Sequence, residues 1–151
     1  MLDVTDRKII ALLQEDGRLT NAELATSVGL SQSACHRRVK RLEDQAVIAG
    51  YGAFVDRSKV GLSVMGFVSI KLENHSEDLL EAFARNVDSV DEVVACYAIS
   101  GGGDFFLKIV AKDMEAFSNV ALKKIVRIPG VKDTTTNFVL STLKLNAAWP
   151  I

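Results

Sequence analysis

The spacing of hydrophobic positions changes near the middle of the chain. In the first third, apolar residues recur every three or four positions, which is typical of amphipathic helices, and we predict a helix over residues 2–16 and a pair of helices within residues 20–42. Beyond residue 62, short segments rich in valine, isoleucine and phenylalanine alternate with further helical patterns. The pattern therefore predicts a helical N-terminal part and a mixed C-terminal part.

The helix pair has clear start and stop signals. Thr20 and Glu23 have the spacing of a capping box. Gly29 lies where a helix ends with positive φ, which glycine adopts at little cost, and Ser31 is a good N-cap for the second helix. The helix over residues 2–16 is needed as support, because two short helices bury too little surface on their own.

The second helix of the pair carries a one-sided positive charge, with four basic and no acidic residues between positions 31 and 42. The net charge of the chain is −1, so any DNA site must be local. Taken alone, a basic amphipathic helix also fits an ordinary solvated hairpin; the caps, the turn glycine and the charge together favour a DNA-binding helix-turn-helix. We expect base-edge contacts from Gln32, Ser33, His36 and Arg37, and phosphate contacts from Arg38, Lys40 and Arg41.

The second half predicts the order strand, helix, strand, strand, helix, strand. The strands are predicted at 64–72, 90–100, 105–111 and 131–145, and the helices at 76–87 and 114–127. This order is the ferredoxin-like βαββαβ arrangement. The predicted fold class is α+β: an N-terminal three-helix, winged-type helix-turn-helix domain (1–49), a linking strand or hinge (50–61) and a C-terminal ferredoxin-like sandwich domain (62–151).

Both faces of the predicted sheet carry apolar residues. The helices cover one face, and a second sheet must cover the other. A second copy of the same chain would supply it, and a symmetric dimer would suit a palindromic DNA site.

Several other classes of protein are disfavoured. No apolar run reaches the ~20 residues of a membrane span, and charged residues from Asp3 to Lys8 interrupt any signal peptide. The two cysteines form no disulfide framework or metal pattern, so we expect a cytoplasmic protein without a metal or cofactor. Cys35 and His36 are neighbours on a helix and point about 100° apart, so they make a poor catalytic pair, and the sequence predicts no enzyme.

The whole chain resembles the Lrp/AsnC family of feast/famine transcription regulators. The matching segments are LDVTDRKIIALLQEDGR, NAELATSVGLS, CHRRVKRLE, AVIAGYGAFVD, ISGGGDFFLKIV and IPGVKDT. The resemblance implies a DNA-binding N-terminal domain, an effector-sensing ferredoxin-like domain, and a homodimer that often assembles into an octamer. It also implies a small-molecule effector, usually a free amino acid, that binds between dimers.

Carried over by position, the resemblance places the effector site at Ser100, Gly101, Gly102, Gly103 and Asp104, with Thr134 and Thr136 on the neighbouring strand. Glycine amides suit a carboxylate and Asp104 suits an ammonium group. A tight hairpin turn capped by Asp104 explains the same residues. The family commonly has an acidic and then an aromatic residue at the positions of Gly102 and Gly103.

Two other functions fit parts of the sequence. One is a small-molecule-binding enzyme built on the ferredoxin-like half, although no nucleophile–base pair, metal spacing or phosphate loop supports it. The other is a chromatin-like protein that coats DNA with low specificity, which the ratio of specific to non-specific binding would distinguish from a regulator.

Overall fold

The structure is a computed structural model that describes residues 1–145 and 148–151. It divides into two compact units, Met1–Phe54 with Leu143–Ile151, and Val55–Thr142. The boundary between Phe54 and Val55 lies inside the predicted linking segment 50–61. Residues 143–151 group with the first unit, whereas the sequence analysis places them in the second domain. The cause is a contact with the first helix: the Trp149 amide donates to Gln14 Oε1 at 2.6 Å, and Gln14 Nε2 donates to the Trp149 carbonyl at 3.3 Å.

Three helices form the first unit, α1 (Val4–Glu15), α2 (Asn21–Val28) and α3 (Gln32–Asp44). The predicted caps are confirmed. The Thr20 amide donates to Glu23 Oε2 at 2.7 Å and the Glu23 amide donates to Thr20 Oγ1 at 3.3 Å, while Gly29 ends α2 with a φ of 69°. At the start of α1, Asp3 forms a capping box with Asp6.

The core of the first unit follows the predicted apolar stripes. Its most buried side chains are at most 3% exposed and are Ile9, Leu24, Ala25, Cys35 and Leu42. Because Ala25 is small, α2 and α3 can approach closely at this point. Cys35 is 0% exposed and burial raises the pKa of its thiol, so this cysteine is a packing residue.

The linking segment differs from the short strand predicted for it. Residues 49–56 form no strand with any part of the chain that the structure describes, and Phe54 and Val55 are 82% and 64% exposed. A strand needs a hydrogen-bonded partner as well as an alternating pattern, and this segment has the pattern without the partner.

The second unit has the predicted ferredoxin-like order. Its strands are β1 (Val64–Leu72), β2 (Val93–Ala98), β3 (Phe105–Ala111) and β4 (Val131–Phe138), and its helices are α4 (Glu77–Asp88) and α5 (Met114–Asn119). The sheet order is β2-β3-β1-β4 and all pairs are antiparallel. Side chains from one face of the sheet, among them Val68, Ile70 and Leu107, pack with Phe83 and Phe117 of the helices to form the core.

Three predicted elements have different limits. β4 ends at Phe138 rather than 145, because its partner β1 begins at Val64 and the last contact is from the Val139 amide to the Met65 carbonyl at 3.0 Å. β2 begins at Val93 rather than 90, since a turn joins the Val93 amide to the Val90 carbonyl. After Asn119 the last helix continues as a π-helix to Ile125; its wider turn changes the helical phase and leaves Leu122 63% exposed.

The sheet face opposite the helices is aromatic. Phe67 and Phe106 stack with ring centroids 5.1 Å apart, and Tyr97, which pairs with Phe106 across β2 and β3, is 59% exposed. Apolar residues therefore lie on both faces, as the sequence indicated. Within the described residues, no helix has the length and apolar character needed to cross a membrane.

Candidate DNA interface and effector loop

The outer face of α3 presents the candidate DNA-binding residues. With 100° between successive positions, Ser33, Arg37 and Lys40 lie on the side opposite the buried Cys35, and all three are exposed, as is Gln32 at the helix start. Lys40 Nζ lies 3.9 Å from Asp44 Oδ1, but both side chains are about two-thirds exposed, so this pair constrains Lys40 little. These side chains are accessible to a groove or a phosphate backbone.

Arg38 and Arg41 are placed differently, because both reach back to α1. Arg38 Nη1 donates to Asp3 Oδ2 at 2.6 Å and to Asp6 Oδ1 at 2.8 Å. Arg41 Nη2 donates to Asp6 Oδ2 at 2.6 Å. We call these four residues the acid–arginine cluster. The Asp6 side chain is 1% exposed, whereas those of Arg38 and Arg41 are 29% and 45% exposed, so the buried charge is the carboxylate.

The charges in this cluster perturb one another in the expected direction. The Asp6 amide, followed by the Arg38 side chain, lowers the pKa of Asp3, and the two carboxylates raise the pKa of Arg38. Sequence reasoning missed the cluster, yet one signal was present: Asp6 falls on the apolar stripe of α1 between Leu2 and Ile9. A charge on a buried stripe needs a partner of opposite charge.

His36 lies at the edge of the candidate interface. It is exposed and borders a cleft of about 160 Å³ together with Asn21 and Tyr51. Tyr51 donates to Glu43 Oε1 at 2.9 Å, and burial, followed by this hydrogen bond, raises the pKa of Tyr51 to about 12. Within the described residues, no group of His, Cys, Asp and Glu side chains could hold a metal ion here or elsewhere.

The predicted effector loop joins β2 to β3. Ser100, Gly101 and Gly102 are exposed, whereas Gly103 is buried. A Cβ added to Gly103 would collide with Ser69 Oγ and would lie 3.2 Å from the Ile70 carbonyl oxygen, while a Cβ on Gly102 would meet nothing within 4 Å. Gly103 is therefore required by the packing of the loop against β1, which explains its departure from the aromatic residue common in the family.

Asp104 has internal partners for both carboxylate oxygens. Oδ2 accepts from the Leu72 amide at 2.7 Å, and Oδ1 lies 2.8 Å from His75 Nε2. The Leu72 amide, followed by the His75 side chain, lowers the pKa of Asp104. The His75 side chain is 64% exposed yet holds this hydrogen bond. The geometry favours the second sequence interpretation, in which Asp104 stabilises the turn.

The two threonines flank the same part of β1 from its other side. Ile70 pairs with Phe105 on one side and with Thr134 on the other, and Thr136 pairs with Val68. Two strand spacings of about 4.8 Å therefore separate Thr134 from the end of the loop. Thr134 is half-buried and Thr136 is exposed, and their register places both on the face that carries the helices.

Removing the Asp6 carboxylate is expected to loosen α3. Asp6→Ala should lower the free energy of unfolding by about 1–3 kcal/mol, because it removes the buried acceptor of two arginines that can then only partly rehydrate. Urea unfolding measures this change. The matched control is Asp44→Ala, which removes an exposed carboxylate from α3; equal losses in the two variants would contradict a structural role for Asp6.

Asp104 is expected to contribute an acid-dependent part of the stability. Since its folded pKa is lowered, its contribution is complete above the unfolded pKa of about 3.9 and is lost as the pH falls through the folded value. The difference in urea midpoint between wild type and Asp104→Asn should therefore shrink as the pH falls below about 4. A difference that stays constant from pH 6 to pH 3 would contradict this role, and Asp88→Asn, at an exposed site, serves as the control.

Comparison with known proteins agrees with this geometry. Residues 2–43 match the family model of the AsnC-type helix-turn-helix domain. Residues 65–149 match the family model of the Lrp/AsnC ligand binding domain. The leucine-responsive regulatory protein of Escherichia coli K12 is 39% identical over 143 residues, which cover 95% of this chain and 87% of that protein. The transcriptional regulator AzlB of Bacillus subtilis is 35% identical over 151 residues, covering 100% of this chain and 96% of that protein.

Solved structures give the same result. A transcriptional regulator of Neisseria meningitidis, in complex with L-Met, superposes with a TM-score of 0.94 at 39% identity, covering 99% of this chain and 97% of that one. Escherichia coli AsnC superposes with a TM-score of 0.87 at 30% identity, covering 96% of each chain. The likeness spans both the helix-turn-helix and the ligand-binding domain, and this chain belongs to the Lrp/AsnC family of transcriptional regulators.

Proposed function

We propose that this protein binds specific DNA sequences through the outer face of α3 and that an amino acid bound at the β2–β3 loop controls this binding. The proposal rests on one observation, that some polar side chains of α3 contact α1 while others are exposed. The acid–arginine cluster fixes the helix against α1, and the exposed side chains of Gln32, Ser33, Arg37 and Lys40 point away from the core. A rigid helix with a free polar face is what major-groove recognition requires.

Base contacts are assigned to Gln32, Ser33 and Arg37, with His36 at the border. Gln and Arg present the paired donors and acceptors that distinguish adenine and guanine in the major groove. Lys40 is the phosphate contact in this assignment. Arg38 and Arg41, which the sequence suggested for phosphates, act instead through the position of α3, because their donors are directed to Asp3 and Asp6.

A symmetric homodimer and a palindromic site complete the proposed mechanism. The aromatic sheet face of Phe67, Phe106 and Tyr97 suits a second copy of the same sheet. Two copies of α3 would then contact half-sites separated by a multiple of one helical turn. On the basis of the family resemblance, we also propose that dimers assemble further into an octamer. We propose the cytoplasm as the place of action.

The effector site is proposed at Ser100, Gly101 and Gly102. These residues are exposed, and within the described part of the chain their amides donate no hydrogen bond, so they can bind the carboxylate of an amino acid. Gly103 and Asp104 hold the loop in place, and Thr134 and Thr136 lie on β4, on the other side of β1 from the loop. Because a similar structure is a complex with L-Met, methionine is the first effector to test.

We infer that the chain acts by binding rather than by catalysis, which its similarity to regulators over nearly its full length supports. A low-specificity DNA coat is the second candidate. It would require basic side chains without directional base contacts, whereas the free face of α3 includes Gln32 and Ser33, which contribute no charge.

DNA affinity is expected to depend on Arg37. Arg37→Ala should weaken binding to a selected site by about 1–3 kcal/mol if its guanidinium holds a guanine, and should relax the preference at that base pair. Fluorescence anisotropy at fixed salt measures both effects on sites recovered by selection from genomic fragments. Lys123→Ala removes an equal charge from an exposed position of the second unit and should leave the affinity unchanged; equal effects would remove Arg37 from the interface.

Amino-acid binding is expected to depend on open space at Gly102. Calorimetric titration with a panel of amino acids, starting with L-Met, should identify a ligand. Gly102→Val should weaken the binding of that ligand at least several-fold, because a side chain at this position would cover the loop amides. The thermal midpoint should be unchanged, since a Cβ at Gly102 meets nothing within 4 Å. Ala84→Val adds similar bulk at an exposed position of α4 as control. Undiminished binding by Gly102→Val would locate the effector elsewhere.

A further inference from the structure

We infer that Asp3, together with Asp6, withholds Arg38 from the DNA backbone and so lowers the sequence-independent, salt-dependent part of the DNA affinity. This inference rests on the proposed function of α3. Arg38 follows Arg37 on the recognition helix and could neutralise a phosphate, but its Nη1 donates to Asp3 Oδ2 at 2.6 Å and to Asp6 Oδ1 at 2.8 Å. The guanidinium therefore faces α1 rather than the solvent side of α3.

The two carboxylates have different tasks in the acid–arginine cluster. Asp6 is 1% exposed and also binds Arg41, so it is part of the packed interior. The Asp3 side chain is 51% exposed and, within the described residues, Arg38 is its one ionic partner. Asp3 can therefore change without opening the core, and it is the exposed one of the two carboxylates that hold the Arg38 guanidinium.

Charge neutralisation within the cluster affects how strongly the protein binds DNA of any sequence. Non-specific binding depends on the number of phosphates that a protein neutralises. Two aspartates balance two arginines in the cluster, and among the four basic residues of α3 only Arg37 and Lys40 remain without a carboxylate from α1. Because phosphate contacts carry no sequence information, holding Arg38 back lowers the salt-dependent affinity for DNA of any sequence.

Asp3 uses one oxygen for each of two functions. Oδ1 accepts from the Asp6 amide at 2.8 Å and caps α1, while Oδ2 binds Arg38. Asparagine is as good an N-cap as aspartate but carries no charge to hold a guanidinium. Asp3→Asn therefore separates the two functions, because it keeps the cap and weakens the ion pair.

The test measures how the affinity of the full-length protein for DNA varies with salt, using a selected site and a random duplex of equal length. Asp3→Asn should steepen the slope of log K against log salt by about 0.9 per subunit on the random duplex. Its non-specific affinity should thus fall by a further factor of about 3.5 per subunit between 50 and 200 mM salt. At low salt, binding to the selected site and to the random duplex should strengthen by similar factors, because a phosphate contact carries no sequence information.

Two controls separate release of Arg38 from a change in net charge. Asp44→Asn removes one negative charge from the exposed end of α3 and should leave the slope as in wild type. The double variant Asp3→Asn/Arg38→Gln has no arginine to release and should also return the slope to the wild-type value. Thermal unfolding of each variant checks that the fold is kept, and Asp3→Ser, which also caps a helix, provides a second version of the test.

The outcomes are distinct. An unchanged slope in both Asp3→Asn and Asp3→Ser, with folded protein, overturns the inference, and so does an equal increase in Asp44→Asn. Neither result affects the proposed function, because the wild-type protein would still prefer its selected site. If the wild-type protein itself binds no selected site above random DNA, the proposed function fails instead.

Discussion

A carboxylate that is taken out of water must be surrounded by donors, and this requirement determines how the recognition helix is held. Asp6 lies on the buried stripe of α1 and receives Arg38 and Arg41 from α3. Replacing such a buried ion pair by apolar residues is often neutral for stability, so its main consequence is geometric. Both arginines reach Asp6 in only one rotation of α3, and in that rotation Ser33 and Arg37 face outward.

A second carboxylate organises the candidate effector loop in a similar way. Asp104 accepts from the Leu72 amide and contacts His75, and its own amide donates to the Ile70 carbonyl at 2.8 Å. Gly103 is pressed against Ser69. The base of the loop is thus tied to β1, while Ser100 to Gly102 remain exposed. In both units a charged residue that the sequence suggested as a ligand contact instead holds a segment whose neighbouring side chains are exposed.

Local signals predicted most of the fold. The Thr20–Glu23 capping box, Gly29 and the order of the six C-terminal elements depend on residues close together in the chain, and the limits of β1 and β3 were correct. In the last helix a local π-helical turn changes the helical phase and leaves Leu122 exposed. The end of β4 has a long-range cause, because it depends on where its partner β1 begins. The ion pairs of the sites were missed for the same reason, since 32 residues separate Asp6 from Arg38 and 29 separate His75 from Asp104.

The balance of charge also explains why a dimer suits this chain. The net charge is −1, and two of the four basic residues on α3 are neutralised within the acid–arginine cluster, so one copy of the helix has little long-range attraction for DNA. Directional contacts from a single helix give limited affinity. When two copies are joined, the second binds as an intramolecular event at high effective concentration. A regulator with a weakly charged recognition helix therefore gains affinity from assembly, and a ligand that alters assembly can control DNA binding without contacting α3.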